Sequence, residues 1–361
     1  MGPKYVREKR VRAIQFAGVR DVRQVEVPKP TIGAGQALVK VTAAGVCQTD
    51  IHIRGSAEEM IPAGTILGHE IAGEIVDIAD GFPHFSPGSQ VIVHPVWSCG
   101  VCRLCVAGQE NACRNTGNRL YPAPTPGVSV NGGMADYVAV NAAALVPADG
   151  LDPAFAAVLA DAGLVPYHSI RATLDLLRPG STAVVIGIGG LGQFAVELLR
   201  ELTAAQVIAL DIRDASLAAV RGKVDHALRS DDPEVAAKVL AVTGGYGADV
   251  VLDLVGNNQT LALSGAVVAP YGAVRVPGLG DGVFAFETSQ TSVSLPWGAS
   301  LTRPYSGNHQ DLHDLVALAR TGRITADLTR YSFDDGLQAF DDLEAGKIFG
   351  RAVIVLADPA S

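Results

Sequence analysis

Apolar positions keep two different rhythms along the chain. Between residues 11 and about 146 they fall in short β-type runs, such as 37–41, 71–76 and 90–93, punctuated by glycine and proline. Runs this short and this often interrupted predict a partly open barrel of antiparallel strands. Beyond Pro179 and Gly180 the texture changes. Residues 183–186 are apolar throughout, as a strand buried on both faces must be, and a glycine turn and an amphipathic helix at about 190–202 follow. The runs 206–210, 249–253 and 273–276 repeat the strand signal, and strands alternating with helices predict a doubly wound parallel sheet. Asp152 and Pro153 mark a helix start between the two regions; its body runs from 154 to about 174, interrupted at Pro166, and bridges them. From about 297 onward the tail holds a helix at 311–320 and a last strand at 352–356.

Length and charge narrow the class. At 361 residues the chain exceeds one typical core, so two domains are expected. The net charge of −9 argues against a nucleic-acid surface. The basic start (Lys4, Arg7, Lys9, Arg10, Arg12) is followed by no apolar stretch, so it does not read as a secretory signal. The most apolar long window, 182–199, is broken by glycines, Gln193 and Glu197, and so does not read as a membrane span. Five cysteines, four of them at metal spacing, fit a reducing compartment better than a disulfide framework, and the cytoplasm is expected.

Three groups of residues carry chemistry. Cys99, Cys102, Cys105 and Cys113 are spaced C-x2-C-x2-C-x7-C, so four thiolates can close around one tetrahedral ion in a structural zinc lobe at about 95–115. A nucleic-acid-binding zinc ribbon is the rival, disfavoured by the scarcity of interleaved basic and aromatic residues. The second group, Gly187-Ile188-Gly189-Gly190-Leu191-Gly192, matches a dinucleotide fingerprint in the right setting, after a buried strand and at a helix start. Asp211, at the end of the next strand, should accept hydrogen bonds from the ribose hydroxyls and repel the extra phosphate of NADP, so NAD is expected; Arg213 offers a competing phosphate partner. Third, Cys47 and His69 provide one thiolate and one imidazole suited to a catalytic zinc. With the other cysteines committed, Asp161 in the bridging helix is the candidate third ligand, a solvated helix face being the equal alternative for an acid in that setting. Trp97, Tyr121, Leu295 and Trp297 are candidate walls of an apolar, aromatic pocket. His84, His94, His168, His309 and His313 read as ordinary.

Taken together, G-V-C-Q-T-D-I-H at 45–52, G-H-E at 68–70, the four-cysteine lobe, D-A-G-L-V-P-Y-H at 161–168, G-I-G-G-L-G with its downstream aspartate, and the terminal G-R-A-V-I-V resemble the zinc-dependent medium-chain alcohol dehydrogenases. The likeness spans almost the whole chain and is nearest to bacterial NAD-dependent secondary-alcohol dehydrogenases. It implies a GroES-like partly open β-barrel catalytic domain at 1–155, a Rossmann cofactor domain at 156–296, and a return to the catalytic domain over 297–361. It also implies two zinc ions per subunit, the catalytic one on Cys47, His69 and Asp161, with Glu70 as a transient ligand. Thr49 would take the substrate proton and His52 pass it to solvent, Asp50 would orient His69, and Arg351 would meet the cofactor phosphates. Gln48 departs from relatives that carry an arginine facing the pyrophosphate. The implied activity is NAD-dependent interconversion of secondary alcohols and ketones in a homodimer or homotetramer, and the candidate aromatic walls favour bulky hydrophobic or aromatic substrates. A zinc-containing reductase of aldehydes or activated double bonds, a polyol dehydrogenase, and a non-enzymatic sensor are the alternatives.

Overall fold

The computed structural model describes residues 10–289 and 294–356. They form two compact units. Of the described residues, the first takes 10–161, 308–320 and 327–356, the second 162–289, 294–307 and 321–326. The division thus falls six residues later than the sequence suggests, and the return begins at 308 rather than 297.

The first unit opens with an antiparallel ribbon, β1 (Arg10–Gly18) and β2 (Asp21–Pro28). Its organising strand is β3 (Gln36–Val46), followed by the short helix α1 (Gln48–Gly55), β4 (Glu70–Ile78) and β5 (Gln90–Val93). Helix α2 (Arg103–Val106), β6 (Tyr137–Asn141), β7 (Leu145–Pro147) and α3 (Pro153–Val158) come next. The Asp152 side chain accepts from Phe155 N at 3.0 Å and Pro153 sits in the first turn, so the start of α3 is capped as the sequence implies. Strand β3 pairs with β6 over residues 36–40 and with β4 along its length, and register shifts at Leu38/Val39 and Val41/Ala43 bend it. Phe16, Leu67, Ile71, Met134 and Phe340 are among the wholly buried members of the core it surrounds.

The second unit begins in α4 (Leu164–Arg171) and alternates β8 (Thr182–Ile186), α5 (Gly190–Leu202), β9 (Gln206–Asp211), α6 (Asp214–Val220), β10 (His226–Arg229), α7 (Val235–Val242), β11 (Ala248–Asp253), α8 (Asn258–Val267), β12 (Val268–Arg275) and β13 (Ser300–Thr302). All six strands are parallel, in the order β10-β9-β8-β11-β12-β13. That is the doubly wound order, reversing beside β8, where such folds bind ligands beyond the carboxyl ends of the strands. The pairing of β13 with β12 keeps residues 297–307 in this unit. The chain then returns through α9 (His309–Arg320), β14 (Leu328–Ser332), α10 (Gly336–Glu344) and β15 (Arg351–Val355), which pairs with β3 over Ala43–Val46.

The bridging helix departs from expectation. It is interrupted not at Pro166 but upstream, by a π-turn over Leu159–Gly163, and it ends at Arg171 rather than about 174. Pro166 lies within the first turn of α4, where its missing N–H is tolerated. π-turns arise as single-turn irregularities within helices, often at functional positions. Asp161 stands in the middle of this one.

Candidate active site and metal centres

The four lobe cysteines are reduced, and their sulfurs all lie within 4.8 Å of one another. Zn–S bonds of about 2.3 Å at tetrahedral angles place sulfurs about 3.8 Å apart. The Cys102–Cys105, Cys99–Cys105 and Cys102–Cys113 separations are 3.5, 3.9 and 4.0 Å. The backbone supports negative sulfur: Cys99 N donates to Cys113 Sγ at 3.3 Å. Against the effect of its burial, hydrogen bonds from Thr116, Cys99 and Asn115 hold the Cys113 thiol down at about 5. The set fits a closed structural ion.

The second cluster assembles where β3 ends, β4 begins and the π-turn passes. Cys47 caps α1; its N–H donates to Asp50 Oδ2 at 2.9 Å, so Asp50, in the first turn, completes the cap. Its other oxygen, Oδ1, lies 3.9 Å from His69 Nδ1. Both atoms are buried and, among the described residues, lack hydrogen-bond partners. On the far side of the ring His69 Nε2 is 3.7 Å from Asp161 Oδ2, which is 3.5 Å from Cys47 Sγ. For zinc held tetrahedrally by S, N and O the N···O and S···O separations are about 3.4 and 3.6 Å. Ligand atoms of Cys47, His69, Glu70 and Asp161 lie within 4.8 Å of one another, so Glu70 belongs to the cluster. Burial discourages charge on His69, yet the surrounding Asp50, Asp161 and Cys47 raise its pKa well above the ordinary value. So much negative charge about one ring is what a cation would relieve.

Sequence reasoning missed how Glu70 is held. Its carboxylate pairs with Arg351 Nη2, both side chains being essentially inaccessible, and burial raises Glu70 to about 8 against the pull of that guanidinium. Register puts Gly45 opposite Glu70 on β4 and opposite Val353 on β15. A Cβ on Gly45 would fall 1.8 Å from Glu70 Oε2. A residue without a side chain is therefore what lets Glu70 lie across β3 toward Arg351. Arg351, expected at the cofactor phosphates, is thus engaged by Glu70. On α1, Thr49 is half-buried with Oγ1 3.8 Å from Cys47 Sγ, while His52, three positions on, and Gln48 are exposed.

In the second unit the glycine loop behaves as its spacing implies. Gly187 has φ +91°, a Cβ on Gly192 would lie 2.0 Å from Gly187 O, and above Gly189 there is open space. Gly190 and Leu191 open α5, whose first N–H groups are ready-made anion donors. Asp211 is buried at the end of β9; Oδ2 accepts from Ile188 N at 2.7 Å and Oδ1 from Arg213 N at 2.8 Å. The exposed Arg213 side chain stands 3.7 Å from that carboxylate. The aromatic wall is not assembled within either unit: Trp97 packs on the first core, Leu295 on the second, and Tyr121 and Trp297 are exposed. Nor are all the histidines ordinary. His94, His309 and His313 lie side by side at tilted angles, with ring centroids 5.4 and 5.0 Å apart from His94 to His309 and from His309 to His313.

Residues 33–150 match the alcohol dehydrogenase GroES-like domain, and residues 222–354 match a zinc-binding dehydrogenase domain. D-arabinose 1-dehydrogenase (NADP(+)) of Saccharolobus solfataricus is 30% identical over 94% of this chain and 95% of its own. An NAD-dependent alcohol dehydrogenase of Sulfurisphaera tokodaii is 30% identical over 96% and 99%. The chain belongs to the zinc-dependent medium-chain alcohol dehydrogenases. Among solved structures, acetophenone reductase of Geotrichum candidum in complex with NAD superposes with a TM-score of 0.84, at 29% identity over 97% of this chain and 98% of that one. As a medium-chain alcohol dehydrogenase the protein is an oxidoreductase acting on CH–OH groups, with a GroES-like domain and a Rossmann domain. Among the described residues no helix is long and apolar enough to cross a membrane.

Proposed function

We propose that this protein is an NAD-dependent secondary-alcohol dehydrogenase with a catalytic zinc on Cys47, His69 and Asp161 and a structural zinc on Cys99, Cys102, Cys105 and Cys113. The observation that carries the reading is the thiolate–imidazole–carboxylate triangle, buried at Cys47 and His69 and partly open at Asp161, with edges near those of a tetrahedral site. When bound, zinc supplies Lewis acidity at the substrate oxygen and the nicotinamide accepts hydride. Cys47 and Asp161 bring two negative charges to balance the ion, and Asp50 keeps the His69 ring in place. Thr49 and His52 share one face of α1. Thr49 cannot hold a charge and therefore relays the substrate proton, and exposed His52, whose imidazole can take up and release a proton, passes it to water. Glu70, held by Arg351, stands beside the ligands as a substitute donor.

Asp211 supports NAD over NADP, because a buried carboxylate already bonded to the glycine loop cannot turn away from a 2′-phosphate. The ketone named in the acetophenone reductase supports secondary alcohols, whereas the arabinose dehydrogenase supports the polyol alternative. Initial rates on 1-phenylethanol, aliphatic secondary alcohols and D-arabinose, each with NAD and NADP, test the proposal. Preference for the secondary alcohols with NAD is expected, and Asp211→Gly should narrow the cofactor preference at least tenfold. Preference for arabinose with NADP would overturn it.

A further inference from the structure

The start of α9 carries a feature that neither zinc site uses. His309 is its first residue and His313 lies one turn on, on the same face, with ring centroids 5.0 Å apart at an interplanar angle of 55°. Two histidines at this spacing are how a single helix grips a transition metal. His309 Nε2 is buried and has no hydrogen-bond partner among the described residues, which is unusual for a buried polar atom. A hydrogen bond with the Ala143 backbone engages the same ring. His94 lies beside His309 at 5.4 Å and spends its own Nδ1 on the Val96 backbone. Burial, with His94 and His313 alongside, disfavours charge on the His309 ring. His313 is exposed and gives access.

We propose that His309 and His313 form a third metal site, a bis-imidazole chelate for a late first-row divalent ion such as zinc. Imidazole donors suit zinc, copper and nickel and do not suit magnesium or calcium. An ion there would brace the beginning of the return segment, which is already tied to the cysteine lobe: Asn308 Nδ2 donates to Gly108 O at 2.8 Å, and His309 N donates to the Glu110 carboxylate.

The test titrates ZnCl2 into the zinc-loaded, dialysed enzyme by calorimetry, and follows the unfolding temperature with and without added zinc. His313→Ala, at an exposed position outside the catalytic machinery, should fold and turn over as wild type does. Wild type should take up one more equivalent than His313→Ala and gain several degrees that the variant does not, since ligand binding to the folded state alone raises its stability. MgCl2 should do neither. Equal zinc uptake and equal thermal shifts in the two proteins, or a shift with MgCl2 matching that with zinc, would overturn the site.

Discussion

Gly45 shows how much one residue decides. The Glu70–Arg351 pair is buried, and separating such partners leaves an uncompensated charge at a cost of roughly 3–5 kcal/mol. A methyl group at Gly45 would occupy the position of the Glu70 carboxylate. Gly45→Ala should therefore lower the unfolding temperature by at least about 5 °C, at roughly 2–4 °C per kcal/mol for a unit of this size. A wild-type melting curve would show that the sheet can bend to accept the Cβ. At His309 the ring's pKa falls from an ordinary 6.5 to about 4 because burial and two neighbouring imidazoles disfavour charge. The unfolded chain then takes up a proton between those values that the folded one refuses, so stability is unaffected above about pH 6.5 and declines as pH falls through this window. Without added metal the loss between pH 7 and 5 is about 2 kcal/mol. Urea unfolding at the two pH values should show that decline in wild type and not in His309→Gln; equal slopes would remove His309 as its cause.

Among the elements, α1 is the one that carries the proton relay of the proposed function. It has eight residues, too few to be stable alone, so packing must hold it in place. Arg54 supplies part of that packing: it reaches Asp341 Oδ1 at 2.7 Å and Glu344 on α10. Its N-cap is Cys47, and Thr49 and His52 lie one turn apart along it. Thr49→Ala should cut turnover by roughly 10²-fold at neutral pH with both zinc ions retained, as removal of a proton-transfer group does. A variant turning over at the wild-type rate would exclude the relay. The central strands β8, β9 and β11 were legible in the sequence because they are buried on both faces and so carry apolar runs, whereas β10 and β13, short and partly exposed, were not. The π-turn was not. Nothing in the side chains of residues 159–163 breaks helical periodicity; the extra residue is a property of backbone hydrogen bonding, and proline, the one visible irregularity, pointed a few positions too far along.

At the scale of the whole molecule, close spacing was readable and distant pairing was not. The four lobe cysteines lie within 15 consecutive residues, so their convergence follows from local chain geometry. Cys47 and Asp161 are 114 positions apart, and their meeting depends on the fold as a whole. So does the pairing of Glu70 with Arg351, 281 positions apart, or the histidine group, whose members come from the end of β5 and the start of α9. Family resemblance supplied Asp161; the residues alone left a solvated face equally open. The Cys47–His69–Asp161 cluster and the four-cysteine lobe share no residue, so on the proposed function the loss of their zinc ions is separable.

Zinc per subunit in wild type and in Asp161→Ala, each dialysed against buffer free of metal and chelator, is the most direct test. Two zinc ions in wild type, and one in a folded but inactive Asp161→Ala, is the predicted result. An Asp161→Ala protein that keeps both zinc ions and full turnover would contradict the account.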